Sequence, residues 1–169
     1  MRNTILRAMI VSLALGGVGA TLARGQARQP LPAPTEKRLI YSENADAKAE
    51  ISEALETAKK THKRVILVFG GNWCYDCHVL DTAFRSADIA PLVNKNFIVV
   101  HVNIGEYDKN LDLAEKYDVP LKRGVPASAV LDSNGALLYS QKNGEFEAAR
   151  RMTKEDIVAF LEKWKPGKG

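Results

Sequence analysis

Cysteine is scarce in this 169-residue sequence: there are two, Cys74 and Cys77. A bridge between residues so close closes a very short loop and removes little chain entropy, so the pair is better explained by reactivity than by stability. Histidine is as sparse, with His62, His78 and His101. Three histidines and one close cysteine pair lack the paired ligand spacing of a structural zinc site. An excess of one charge is missing too. The formal charge is +4, but Arg2, Arg7 and Arg24 lie in residues 1–27 with no acid beside them, which leaves 21 basic against 20 acidic residues in the remainder. A near-neutral chain has no electrostatic reason to take nucleic acid as its partner. There is no internal repeat and no low-complexity segment, and the length suits one domain with short extensions.

No apolar run reaches the ~20 residues of a membrane-spanning helix. The longest, Ala8 to about Ala23, is interrupted by Gly16, Gly17 and Gly19 and follows Arg2 and Arg7. This is the layout of a secretory signal, read here as cleaved rather than retained as an anchor. Ala20, Ala23 and Ala27 each end a small-x-Ala site, and the choice among them stays open. No cysteine is near enough for lipid attachment. The expected organisation is a signal over 1–27, a mobile proline-rich linker over 28–38 and one domain over 39–165, in a periplasmic or secreted protein. Export would put both cysteines where disulfides persist.

Within the domain, Leu39-Ile40-Tyr41 reads as a short first strand, and Ser42 or Asn44 as the cap of a helix with Ala47, Ile51, Ala54, Leu55 and Ala58 on one face. The unbroken, β-branched run Val65 to Phe69 reads as a strand buried on both faces. From Cys77, the spacing of Val79, Leu80 and Phe84, continued by Ile89, Leu92 and Val93, predicts one broken helix or two short ones. Phe97 to Ile104 is a second central strand, and Leu111 to Tyr117 a helix ended before Pro120. Strands near Ala127–Leu131 and Ala136–Ser140 flank the turn Asp132-Ser133-Asn134-Gly135 as a hairpin. Thr153 caps a last helix bearing Ile157, Phe160, Leu161 and Trp164. The order βαβαβαββα predicts an α/β fold with helices on both faces of a mixed sheet of four to five strands.

A strand leading through Gly-Asn-Trp into Cys74-Tyr75-Asp76-Cys77 at a helix start puts the first thiol where backbone N–H groups and the helix dipole favour a negative charge. Cys74 is therefore the expected nucleophile. Cys77, one turn into the helix, is the expected resolving thiol. Asp76, read as a negative charge near that thiolate, would raise its pKa and move the couple toward the reducing end.

These residues, with Val102-Asn103-Ile104 and Gly124-Val125-Pro126 ahead of a strand, resemble the thioredoxin superfamily over about Ala47 to Trp164. Cys77-His78-Val79-Leu80-Asp81, Phe84-Arg85-Ser86 and Asn96 to Val100 are similar to its periplasmic thioredoxin-like group, which includes the C-terminal domain of transmembrane disulfide reductases. The resemblance implies a thioredoxin fold and thiol–disulfide exchange in a reducing or isomerising direction. It implies a cis peptide before Pro126, with Val125 pairing to an extended substrate strand. It further implies protein thiols and disulfides as partners, a membrane electron donor, a monomer, and no cofactor beyond the Cys74–Cys77 couple. Trp73 supports the site. The family's buried acid falls on Val68, so that proton acceptor is missing. Asp81 is either its substitute or a solvated carboxylate, and His101 either assists proton transfer or is a hydrogen-bonded histidine at the core edge. Pro120 to Arg123 lengthens the loop before Pro126.

Two rival readings stand beside this one. Cys74 to His78 also spells CxxCH, the attachment signature of a c-type haem, with Met152 or His101 as nominal distal ligands. A thioredoxin-fold binding module with incidental cysteines is the non-enzymatic alternative.

Overall fold

The computed structural model describes residues 28–35 and 38–167. The proposed signal, 1–27, lies outside the described residues. Among those described, no helix is long and apolar enough to cross a membrane.

The architecture is a four-stranded mixed sheet with helices on both faces, in the strand order β2-β1-β3-β4. The strands are β1 (Arg64–Gly70), β2 (Phe97–Asn103), β3 (Ala127–Leu131) and β4 (Leu137–Ser140). The helices are α1 (Ala47–Thr61), α2 (Tyr75–Arg85), α3 (Ala90–Asn96), α4 (Leu111–Lys116) and α5 (Lys154–Trp164), with 3₁₀ turns at Leu121–Arg123 and Ala149–Arg151. Parallel β2 and antiparallel β3 flank β1, and β4 pairs antiparallel to β3.

Because side chains alternate along a strand, β1 feeds two cores. Val65, Leu67 and Phe69 pack with Ile51, Ala54 and Ala58 of α1, and with both cysteines. Ile66 and Val68 face Val79, Leu80, Ile157 and Leu161 of α2 and α5. From Val65 to Gly70 every residue of β1 is buried, as a strand covered on both faces requires. Its C-terminal end delivers the chain directly to the cysteines.

Three local expectations need correction. Leu39 to Tyr41 is not a strand: Leu39 is exposed and Tyr41 fully buried, and the segment is held by a side chain, Asn72, whose Oδ1 accepts from the Ile40 and Tyr41 N–H groups. The cap of α1 is Asp46, which accepts from the N–H groups of Lys48 and Ala49, rather than Ser42 or Asn44. The segment read as a mobile linker is docked at Pro30 and Leu31. Pro30 bridges to Thr153, the Leu31 N–H donates to the Met152 carbonyl, and the Leu31 side chain is buried in the second core. Of the two helical readings after Cys77, the two-helix one holds: the Ser86 hydroxyl donates to the Ala83 carbonyl at the end of α2, and Pro91 sits in the first turn of α3. At the far end, Thr153 and Asp156 form a reciprocal capping box on α5.

Candidate functional site

Cys74 and Cys77 form a disulfide, their Cα atoms 5.3 Å apart. Cys74 is the N-cap of α2, and its sulfur accepts the Cys77 N–H at 3.1 Å, where Ser, Thr or Asp would ordinarily offer an oxygen. The sulfur thus occupies the position at which the unsatisfied N–H groups and the helix dipole stabilise an anion. Both cysteines are buried, Cys77 almost completely.

The Val125–Pro126 peptide is cis, and the Val125 carbonyl oxygen lies 3.4 Å from Cys74 Sγ. Gly124 precedes it at φ 122°, a conformation that an L side chain rarely adopts. Just beyond, the buried Gln141 clamps the entry to β3. Its Oε1 accepts from Ser128 N–H and its Nε2 donates to the Pro126 carbonyl, both at 3.2 Å. Sequence reasoning missed Gln141, because a glutamine after an edge strand reads as surface until the fold tucks it in.

Trp73 is half-exposed beside the cysteines; its indole N–H donates to the Gly105 carbonyl at 2.8 Å, and its ring lies 5.6 Å from that of Tyr107. Asn72 does more than occupy a loop. Its amide holds Ile40 and Tyr41 through Oδ1 and donates to the Tyr41 carbonyl at 2.7 Å, while its own carbonyl takes His78 Nε2 at 2.9 Å. These bonds carry the Tyr41 ring into the first core, behind the cysteines. Nothing in local spacing marks Asn72 or Tyr41, because the partners are some thirty residues apart.

Asp76 is buried, and its carboxylate accepts from the Arg150 backbone N–H at 2.8 Å and from the Arg150 guanidinium at 2.5 and 3.2 Å. The negative charge expected of Asp76 near the thiolate therefore comes with a compensating arginine that the motif does not show. The arginine arrives from the Ala149–Arg151 turn, seventy-four residues away.

Asp81 is buried, so its solvated alternative does not hold. Arg85 donates to its Oδ2 through Nε at 2.9 Å and Nη2 at 2.8 Å, and His101 Nε2 lies 3.6 Å from its Oδ1. That last contact is not an ion pair at neutral pH. Burial holds the His101 imidazole below the ordinary histidine range; Asp81 pulls the other way, and the positive charges of Arg38 and Arg85 add to the depression. The carboxylate's charge is already answered by Arg85, which is why burial prevails. His101 also meets the edge of the Tyr41 ring, 5.2 Å between centroids. Among the described residues, no group of three His, Cys, Asp or Glu side chains is placed to hold a metal ion.

A thioredoxin-like family model matches residues 46–133, the stretch from the cap of α1 through the hairpin turn. A disulphide isomerase from Xylella fastidiosa Temecula1 is 41% identical, with a TM-score of 0.71 over 76% of this chain and 98% of that one. Two more distant structures share the fold. A thioredoxin from Thermus thermophilus has 20% identity and a TM-score of 0.50 over 66% of this chain and 81% of its own. The oxidised C-terminal domain of DsbD from Neisseria meningitidis has 16% identity and a TM-score of 0.51 over 72% and 97%. No curated protein matches the chain significantly. With its cysteine pair bonded at a helix start in this fold, the chain belongs to the thioredoxin-like family of disulfide oxidoreductase folds.

Proposed function

We propose that the protein is exported and acts as a protein-disulfide reductase or isomerase, with Cys74 as nucleophile and Cys77 as resolving thiol. The observation that carries this reading is Cys74 at the N-cap of α2, bonded to Cys77 and facing the Val125 carbonyl beside a cis proline. In the dithiol state the Cys74 thiolate attacks a substrate disulfide. A mixed disulfide forms, and one substrate sulfur leaves as thiolate and takes up a proton. Cys77, having lost its proton, attacks Cys74 Sγ; the internal disulfide closes and the second substrate sulfur leaves. Two electrons pass to the substrate, and a thiol donor, read here as a membrane electron donor, restores the dithiol.

The backbone of Val125 is the natural edge for an extended substrate segment. Trp73, next to Cys74 in the chain, and Tyr107 pair their rings 5.6 Å apart and are offered as an apolar surface for the same segment. The partners proposed are protein thiols and disulfides met by a monomer, with no nucleic acid and no cofactor beyond the cysteine couple. The likeness to a protein described as a disulphide isomerase supports the isomerising direction over the oxidising one. The haem reading is weakened by the positions of the attachment residues: both sulfurs are spent on each other, and His78 Nε2 is engaged by the Asn72 carbonyl.

The test is insulin reduction and the refolding of scrambled ribonuclease, each with dithiothreitol or glutathione as donor. Both activities should fall to background in Cys74→Ser, and Cys77→Ser should accumulate mixed disulfides. Turnover persisting in Cys74→Ser would exclude the mechanism. Sequencing the N-terminus of the protein recovered from an envelope fraction tests export and finds the cleavage site.

A further inference from the structure

Three buried side-chain polar atoms have no hydrogen-bond partner among the described residues, Tyr41 Oη, Ser128 Oγ and Glu147 Oε2, and the first of them stands at the cysteines. Tyr41 is fully buried, and its hydroxyl has no hydrogen-bond partner among the described residues in the disulfide form. A buried, unpaired hydroxyl is costly and calls for a reason. Its surroundings supply one. A Cβ on Gly70 would stand 2.5 Å from Tyr41 Oη and also 2.5 Å from Cys77 Sγ, so the phenol oxygen and the resolving sulfur are neighbours across a residue that only glycine can occupy.

We propose, building on the exchange reading above, that Tyr41 is the hydrogen-bond donor to Cys77: its hydroxyl is left unmet in the disulfide and donates to the Cys77 sulfur once the bond is opened. A disulfide sulfur is a weak acceptor, whereas a thiolate is a strong one. The bond would therefore form on reduction and favour the anion that resolves the mixed disulfide.

The groups around the pair fit a donor rather than a base. Burial, reinforced by the negative charge of Asp81, keeps the phenol protonated far beyond the ordinary tyrosine range, so its proton stays on oxygen throughout. In the resolving step the Cys77 S–H bond and the mixed disulfide break, the Cys74–Cys77 bond forms, and the proton lost by Cys77 matches the one gained by the leaving substrate sulfur. Among the described residues, the other charged or titratable groups close to Tyr41 are His101, whose pKa burial lowers, and Asp81, whose carboxylate is paired with Arg85; Arg38 stands near His101. Val68, where the family's acid would lie, is apolar and packs in the second core. Asn72 fixes Tyr41 on both sides of its peptide, which makes the hydroxyl's position a property of the active-site loop itself.

The test is Tyr41→Phe. Since the hydroxyl has no partner in the disulfide form, its removal strands no other group, and the oxidised variant should melt no lower than the unsubstituted protein. In single turnover of the dithiol with an aromatic disulfide, release of the first thiolate, which reads Cys74, should be unchanged, and release of the second, which reads Cys77, should slow about tenfold. At equilibrium with glutathione the disulfide form should gain about tenfold, a potential about 30 mV more negative. An unchanged second release together with an unchanged equilibrium would overturn the role of Tyr41. Failure of the unsubstituted protein to release either thiolate would instead overturn the exchange reading.

Discussion

Arg150 holds Asp76 by three hydrogen bonds, one from its backbone and two from its guanidinium, so the acid between the two cysteines carries a charge that is compensated from across the fold. The bond also ties the Ala149–Arg151 turn to the first turn of α2. The acid between the cysteines is thus paired with a residue more than seventy positions downstream.

Arg150→Ala would leave a buried carboxylate with one backbone partner. It should cost about 1–3 kcal/mol in urea denaturation, the usual penalty for a buried acceptor that loses partners. It should also slow alkylation of Cys74, because an uncompensated negative charge now sits two residues from the thiolate. Arg150→Ala combined with Asp76→Asn should restore much of the alkylation rate. An alkylation rate indifferent to Arg150 would show that Asp76 does not reach the thiolate electrostatically.

Gly70 is the close approach on which the site is built. Alanine there meets Cys77 Sγ and Tyr41 Oη, neither at the end of a flexible side chain. Gly70→Ala should destabilise by about 1–3 kcal/mol or more, the range for overpacking a closed core. Gly71→Ala provides the comparison: its nearest obstacle is the half-exposed Trp73, whose displacement breaks the indole hydrogen bond to Gly105 but opens no core packing, so the loss should be smaller.

His101 predicts an acid limb in stability. Its pKa is lowered in the folded state, so the unfolded chain binds the proton more readily. The contribution of neutral His101 is fully present above the unfolded value of about 6.5 and is lost as pH falls through the folded value. His101→Asn should flatten the stability profile between neutral and mildly acidic pH, measured by urea midpoints. A profile unaltered by the substitution would mean that Asp81 keeps the imidazole charged after all.

The features legible in the sequence are those written in local spacing. The apolar run Val65 to Phe69, the CxxC at its end, the Asp132 to Gly135 turn and the Thr153 cap each announce themselves within a few residues. The resemblance also pointed to a cis peptide before Pro126, as found. What was not legible depends on partners far apart in the chain. Leu39 to Tyr41 has strand-forming residues, yet Asn72 captures its backbone before any strand can. Leu31 reads as linker because its burial depends on Met152 and α5. Asp76 reads as a free charge because Arg150 is invisible from the motif. The site's chemistry is local, whereas the tuning of that chemistry is tertiary.

The most direct measurement is the pH dependence of Cys74 alkylation in the reduced Cys77→Ser protein, where a single thiol reports. Stabilisation of the sulfur anion by the start of α2 predicts an apparent pKa below the value of about 8.5 for free cysteine, and a rate near neutral pH well above that of glutathione. A midpoint at or above that value, with reactivity no greater than that of an unstructured thiol, would contradict it.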